Sequence, residues 1–106
     1  MDATTTEIDL AAAVIAVLRS HKAELRAAGI RHLSLYGSVA RNDATVRSDV
    51  DLAVDLDPHT PVGLFALAAL ERRLGELLGK PVDLLPEPTE KQRLQAAIDR
   101  DRRIVF

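Results

Sequence analysis

The sequence predicts an α/β (α+β) fold, a small mixed β-sheet with helices packed on it, with residues 1–106 forming one domain. Three observations lead there. Stretches with apolar residues at helical spacing and stretches that alternate residue by residue follow one another in the order α-β-β-α-β-α. A chain of 106 residues can build one core and is too short for two. Its 47% hydrophobic and 28% charged residues are an ordinary globular balance.

The elements follow in order. Thr4, Thr5 and Thr6 precede Glu7, where the first helix is expected to start. Leu10, Val14, Leu18 and Leu25 recur at helical spacing, with Lys22, Glu24 and Arg26 towards water, and Gly29 is a stop signal. Ile30–Tyr36 reads as a strand with Leu33 and Leu35 on one face and His32 and Ser34 on the other. Residues 37–48 are polar and loop-like, with a helical turn expected from Ser38. Val50–Leu56 is the clearest strand, alternating throughout. Residues 58–61 form a turn between two prolines. From Val62 to Leu78 a second helix buries Leu67, Leu70, Leu74, Leu77 and Leu78, and Gly79 ends it. Residues 81–85 are a short apolar strand broken by Pro86 and Pro88, and residues 89–100 a third helix. Ile104, Val105 and Phe106 add a last short strand or pack as a tail.

Composition narrows the function. A formal net charge of −2 argues against a general nucleic-acid binder, whose phosphate affinity comes from Lys and Arg. Tyr36, Phe65 and Phe106 are the whole aromatic inventory, too few for a base-stacking platform. Without cysteine there is no disulfide and no thiolate zinc site, which fits a reducing cytoplasm. The acidic, polar N-terminus lacks the basic region of a secretory signal, and the apolar run from Leu10 to Leu18 is too short for a bilayer. A soluble, cytoplasmic protein with neither a membrane nor a direct nucleic-acid partner is expected.

The chemistry concentrates between positions 37 and 55. Along the second strand Val50, Leu52, Val54 and Leu56 point one way and Asp49, Asp51 and Asp55 the other. Carboxylates two residues apart on one face repel unless a cation lies between them, and such oxygen ligands suit Mg²⁺. A solvated acidic face of an antiparallel sheet is equally consistent with that strand alone. Gly37-Ser38 closes the first strand, where glycine lets the backbone approach a phosphate and a helical turn offers N–H groups to an anion. A plain turn fits those two residues as well. Arg41 is placed either to meet a phosphate or to lie in a surface salt bridge.

Together, Gly37-Ser38, ten residues, then Asp49-Val50-Asp51 make a Gly-Ser-x10-Asp-x-Asp pattern. It resembles the signature of the DNA polymerase β-like nucleotidyltransferase superfamily. The longer string YGSVARNDATVRSDVDLAV is similar to the minimal nucleotidyltransferase branch, antitoxin members included, in which Gly-Ser-x-Ala-Arg leads to Ser-Asp-x-Asp-Leu. Residues 70–85, LERRLGELLGKPVDLL, resemble that branch's second helix and third strand, so the likeness covers almost the whole chain. It implies a third carboxylate at Asp83, beside Asp49 and Asp51, as ligands for Mg²⁺, two ions in all, with ATP as substrate. It also implies Gly37, Ser38, Arg41 and Ser48 as nucleotide-binding residues. One position departs: the family has Gly after the motif arginine and this chain has Asn42, a residue that tolerates left-handed backbone.

The implied reaction is transfer of AMP from ATP, with Asp49, Asp51 and Asp83 clamping an in-line displacement through the metal. Asp83 is the candidate to help deprotonate the acceptor. Stand-alone domains of this kind resemble the antitoxins of type VII toxin–antitoxin pairs, which modify a tyrosine of a helical HEPN-type ribonuclease toxin encoded nearby. A hetero-oligomer with such a toxin is therefore implied. Two rival readings remain at this level: transfer to a small molecule, and a non-catalytic antitoxin that neutralises by binding. Among other residues, His21 and His59 are expected at the surface, His32 lining the cleft, Asp55 meeting solvent and Asp57 in its turn. Arg93, Arg100, Arg102 and Arg103 are expected to make a solvated, basic helix end.

Overall fold

The computed structural model describes residues 9–106. Helix α1 spans Leu10–Ser20, with the Asp9 carboxylate accepting from the Ala12 N–H at 3.0 Å as its N-cap. The cap is therefore Asp9; the expected start among Thr4–Glu7 lies outside the described residues. The first helical stretch is divided at His21, and α2 covers Lys22–Ala27. Strand β1 is Ile30–Tyr36, helical turn α3 is Gly37–Ala40, and β2 is Val50–Leu56. Helix α4 runs Leu64–Leu78 and stops at Gly79, which is left-handed as a C-cap glycine should be. Strand β3 is Val82–Pro86, α5 is Gln92–Asp101 and β4 is Arg103–Ile104.

The sheet order is β3-β2-β1-β4. Strand β1 pairs antiparallel with β2 and with β4, whereas β2 and β3 are parallel and joined by the α4 crossover. The sheet is thus mixed, as expected, and the domain is α+β. One sheet face supplies Leu33, Leu35, Leu52, Val54 and Leu84 to the core, packed against Val14, Leu18, Leu70 and Leu74 of α1 and α4. The middle of the other face is covered by α5, whose Ile98 and Leu94 pack on Tyr36, Ala53 and Leu85. The two ends of that second face stay open, and this placement creates the site described below.

The boundaries differ in instructive ways. Helix α4 begins at Leu64 rather than Val62, because Val62 packs instead against Gly29. Gly29 has φ +108°, and a Cβ there would meet Val62 Cγ2 at 2.6 Å. Helix α5 begins at Gln92, three residues later than expected, because the Thr89 N–H and hydroxyl are engaged in a turn with Gln95 and Lys91. Strand β3 begins at Val82 rather than Pro81 and keeps Pro86 instead of ending at Leu85, and the C-terminal segment does add a strand, at Arg103–Ile104.

Both sheet edges are covered by side chains. On the outer side of β3 the Leu84 N–H donates to the Glu71 carboxylate at 3.0 Å, and Pro86, at the next outward position, has no N–H. Beyond β4, Arg19 Nε donates to the Val105 carbonyl at 2.7 Å and Nη2 to that of Ile104 at 3.3 Å.

A clamp around Arg102 closes the C-terminal end of the fold. Its guanidinium donates to Ser34 Oγ at 2.8 Å, to both Glu87 oxygens at 2.7 and 2.8 Å, and to Asp99 at 3.0 Å. Arg102 therefore joins β1, the segment just after β3, and α5 rather than belonging to a solvated basic end. Chiefly through this fork, and against the effect of burial, the Glu87 carboxyl is held below its ordinary value of 4.5. A depressed folded value means that the stabilisation is complete above pH 4.5 and lost as pH falls through the folded value. Arg102→Ala leaves Glu87, whose side chain is 12% exposed, without its partner and is expected to cost about 2 kcal/mol. Glu87→Gln should flatten the decline of melting temperature below pH 4.5. Thermal melting of both variants across acidic pH checks the pair.

Candidate active site

The site lies at one open end of the α5-covered face. Three strands bring side chains to it in one row, because Tyr36 pairs with Asp51 in register and Asp51 pairs with Asp83. Neighbouring strands are about 4.8 Å apart, so the two carboxylates stand side by side. Asp51 is half-buried, Asp83 exposed, and Asp49 exposed just before β2 begins. Burial pushes the Asp51 carboxyl up, and the negative charges of Asp83 and Asp49 push it further, while the Arg41 guanidinium works against them. Such a set of oxygens, raised in energy by mutual repulsion, is what a hard cation relieves.

The donor set suits an ion that completes its shell elsewhere. Among the described residues no three His, Cys, Asp or Glu side chains are drawn together closely enough to hold an ion by themselves. Mg²⁺ retains waters and substrate phosphate oxygens beside one or two carboxylates, and Asp51 with Asp83 and the adjacent Asp49 fits that habit.

Gly37 is fixed by the same row. Its φ is +78°, and a Cβ built on it would overlap the Asp51 carboxylate. Only glycine lets β1 turn into α3 with its backbone lying directly against Asp51. The helical turn begins at Gly37 itself, one residue before the expected Ser38, which is half-buried in it. Asn42 adopts φ +58°, so the left-handed backbone expected of it is present. Its side chain also accepts from the Ala11 N–H at 3.4 Å and donates to Asp9 at 3.2 Å, tying the loop to the start of α1.

The structure brings Gly37, Ser38, Asp49, Asp51 and Asp83 together, with Arg41 within electrostatic reach. Arg41 is already engaged, donating from Nη1 to Asp101 at 2.7 Å and from Nε to Asp43 at 3.1 Å. Ser48 is engaged within its own loop: its hydroxyl accepts from the Thr45 N–H at 2.9 Å and braces the loop before Asp49.

Other expectations need correction. Asp55 does not simply meet solvent; it accepts from Arg31 Nε at 2.7 Å. His32 pairs with Asp55, four residues along β2 from Asp51, and so lies at the opposite end of the face. There it lines a cavity of about 410 Å³ with Ser34, Asp55, Glu87, Arg102 and Ile104, not the carboxylate cleft. Asp57 does belong to its turn, accepting from the His59 N–H at 2.9 Å. Sequence reasoning missed Tyr36, whose hydroxyl is pushed up to about 12 by burial and then by Asp51, Asp83 and Glu87. The signal was available, since strand alternation places residue 36 on the face of 32 and 34.

Clustered carboxylates beside a glycine turn can bind a metal and a phosphate chain together, the arrangement that metal-assisted phosphoryl chemistry needs. Comparisons with known proteins agree. A family described as the nucleotidyltransferase domain matches residues 18–106. The protein adenylyltransferase MntA of Thermococcus cleftensis is 36% identical over 86 residues, covering 80% of this chain and 85% of that protein. A candidate protein adenylyltransferase of Methanocaldococcus jannaschii is 39% identical over 70 residues, 65% of this chain and 69% of that one. Among solved structures, a candidate minimal nucleotidyltransferase superposes with a TM-score of 0.66 at 32% identity, covering 97% of this chain and 95% of that chain. A toxin–antitoxin crystal structure with AMP-PNP has the same fold, with a TM-score of 0.63 at 20% identity. That alignment covers 74% of this chain, which spans only 61% of the toxin–antitoxin chain's length. The chain belongs to the nucleotidyltransferase domain family, and the mixed four-stranded sheet with five helices that its described residues form is the fold of the minimal nucleotidyltransferases.

Proposed function

We propose that this chain is a protein adenylyltransferase that, with Mg²⁺, transfers AMP from ATP to a protein hydroxyl. The acceptor in this reading is a tyrosine of a HEPN-type ribonuclease toxin made from a neighbouring gene, so that the chain acts as its antitoxin. The observation that carries the reading is the row of Asp51 and Asp83 in register, with Gly37 pressed against Asp51. The relatives named as adenylyltransferases and the AMP-PNP-bound toxin–antitoxin neighbour support the choice of ATP and of a toxin partner.

Each residue has a role in this scheme. Asp49, Asp51 and Asp83 hold the metal. When bound, Mg²⁺ supplies Lewis-acid stabilisation of charge on the α-phosphate. Gly37, Ser38 and Arg41 hold the departing β- and γ-phosphates, and Ser48, whose hydroxyl accepts from the Thr45 N–H, keeps the loop beside them in shape. The Asp83 carboxylate, on the exposed edge of the row, accepts the proton of the acceptor hydroxyl. AMP on a toxin tyrosine adds bulk and negative charge where RNA phosphates must bind, so both repulsion and occlusion inhibit.

The test is co-expression with the neighbouring gene's product and measurement of that product's intact mass. A gain of one or more AMP units with the wild-type chain, absent with Asp49→Asn, is the expected result. An unmodified partner still neutralised by Asp49→Asn would make the chain a binding antitoxin. Label from ATP appearing on a small molecule instead would move the acceptor away from protein.

A further inference from the structure

Asp101 is an unusual residue for its place. It is the last residue of α5, the end at which the helix dipole disfavours a carboxylate, and its side chain is only 4% exposed. It is nonetheless held there by two arginines: Arg41 Nη1 donates to Oδ2 at 2.7 Å, and Arg100 Nε donates to Oδ1 at 3.0 Å. A largely buried carboxylate at that end of a helix is tolerable only when it is paired, and both of its partners here are arginines. Arg100 is well exposed at 68% and loses little by turning to water. Arg41 differs, because it caps α3, the turn that carries Gly37 and Ser38. Its other carboxylate partner, Asp43, is 58% exposed and two residues away on the same loop, so it cannot fix the guanidinium relative to the sheet.

We infer that Asp101 is a positioning residue for nucleotide binding: it anchors Arg41 from α5 so that the guanidinium faces the phosphate tail of ATP beside Gly37 and Ser38. Asp101 touches no substrate itself. One Nη1 proton and Nε are spent on Asp101 and Asp43, which leaves the remaining guanidinium donors for phosphate oxygens. Arg41 ends the four-residue turn whose first residue, Gly37, lies against the Asp51 carboxylate, which places its charge at the rim of the carboxylate site. The pair therefore links the end of α5 to the mouth of the site across 60 residues of sequence.

This inference rests on ATP occupying the site as proposed above, and the experiment separates the two. Calorimetric binding of Mg·AMP-PNP and of AMP is measured for wild type, Asp101→Asn, Asp101→Glu, Arg41→Ala and the Asp101→Asn/Arg41→Ala double variant. Asp101→Asn is expected to weaken Mg·AMP-PNP roughly tenfold, a charge-assisted contact's worth, and Arg41→Ala by a similar factor. The double variant should be no weaker than Arg41→Ala alone, since Asp101 acts through Arg41. Asp101→Glu should recover part of the loss. AMP, which lacks the β- and γ-phosphates, should bind all five proteins alike, an outcome a merely structural role would not give. Should Asp101→Asn prove unstable, the folded Asp101→Glu and Arg41→Ala proteins still decide the matter by their AMP-PNP to AMP ratios. Wild-type affinity in Asp101→Asn, additive losses in the double variant, or equal losses for AMP and AMP-PNP would overturn the positioning role while leaving ATP binding intact. A wild-type chain that binds no Mg·AMP-PNP would overturn the proposed function and this inference with it.

Discussion

Asp51→Asn is expected to lower AMP transfer by about a thousandfold or more, equivalent to roughly 4 kcal/mol of transition-state stabilisation. Asp51 stands between Tyr36 and Asp83 in the row, receives repulsion from both other aspartates, and is the carboxylate on which the Gly37 backbone rests. Asparagine keeps the shape and removes the charge, so the lost term is metal affinity rather than packing. The same change removes repulsion, and its sign on stability follows. Burial and like charges raise the Asp51 carboxyl, so ionised Asp51 costs the folded state, and the metal-free variant should melt at or above the wild-type temperature. Transfer assays with magnesium, paired with melting in chelator, read both quantities. Wild-type turnover in the variant would remove Asp51 from the metal site.

Gly37→Ala is the second large effect, and it should damage fold and chemistry together. At φ +78° an alanine costs about 1–2 kcal/mol from backbone strain alone. The added methyl also overlaps the Asp51 carboxylate, so either α3 or Asp51 must move. A displacement of about 1 Å in such a site costs on the order of a hundredfold in rate. Asp51 is already unfavourably charged where it lies, so it is the group expected to yield, carrying the metal position with it. Melting temperature should fall and turnover should fall further than stability explains. Combining Gly37→Ala with Asp51→Gly, which removes the overlapping carboxylate, should restore part of the stability and none of the activity.

Much of this arrangement was legible in the sequence, for a physical reason. Val50–Leu56 alternates except at Ala53, so strand, face and the direction of Asp51 follow from one another. The Gly-Ser to Asp-x-Asp spacing adds the loop, and Asn42 is left-handed as its chemistry allows. Helix ends were less legible where they depend on contacts distant in sequence: Val62 is drawn from α4 by Gly29, 33 residues earlier in the chain. The roles of Arg41 and Arg102 were hidden for the same reason. Their partners lie 60 residues away at Asp101 and 15 residues away at Glu87, and local charge patterning reports neither. His32 was assigned to the wrong end of its face, since alternation gives the side of a sheet but not the distance along it.

The guarded edges of the sheet bear on how any second protein is recognised. An incoming chain finds few free donors at β3, where Glu71 occupies the Leu84 N–H and Pro86 offers none. It meets a similar obstacle at β4, where Arg19 takes the carbonyls of Ile104 and Val105. Main-chain zippering is indifferent to side-chain identity and would accept many partners, including misfolded copies of the same chain. With that mode disfavoured, side chains on the faces and loops are left to carry recognition. Selectivity for one partner among many related ones is then set by the chemistry of a few exposed residues, and a modest number of substitutions there can redirect it without disturbing the carboxylate row.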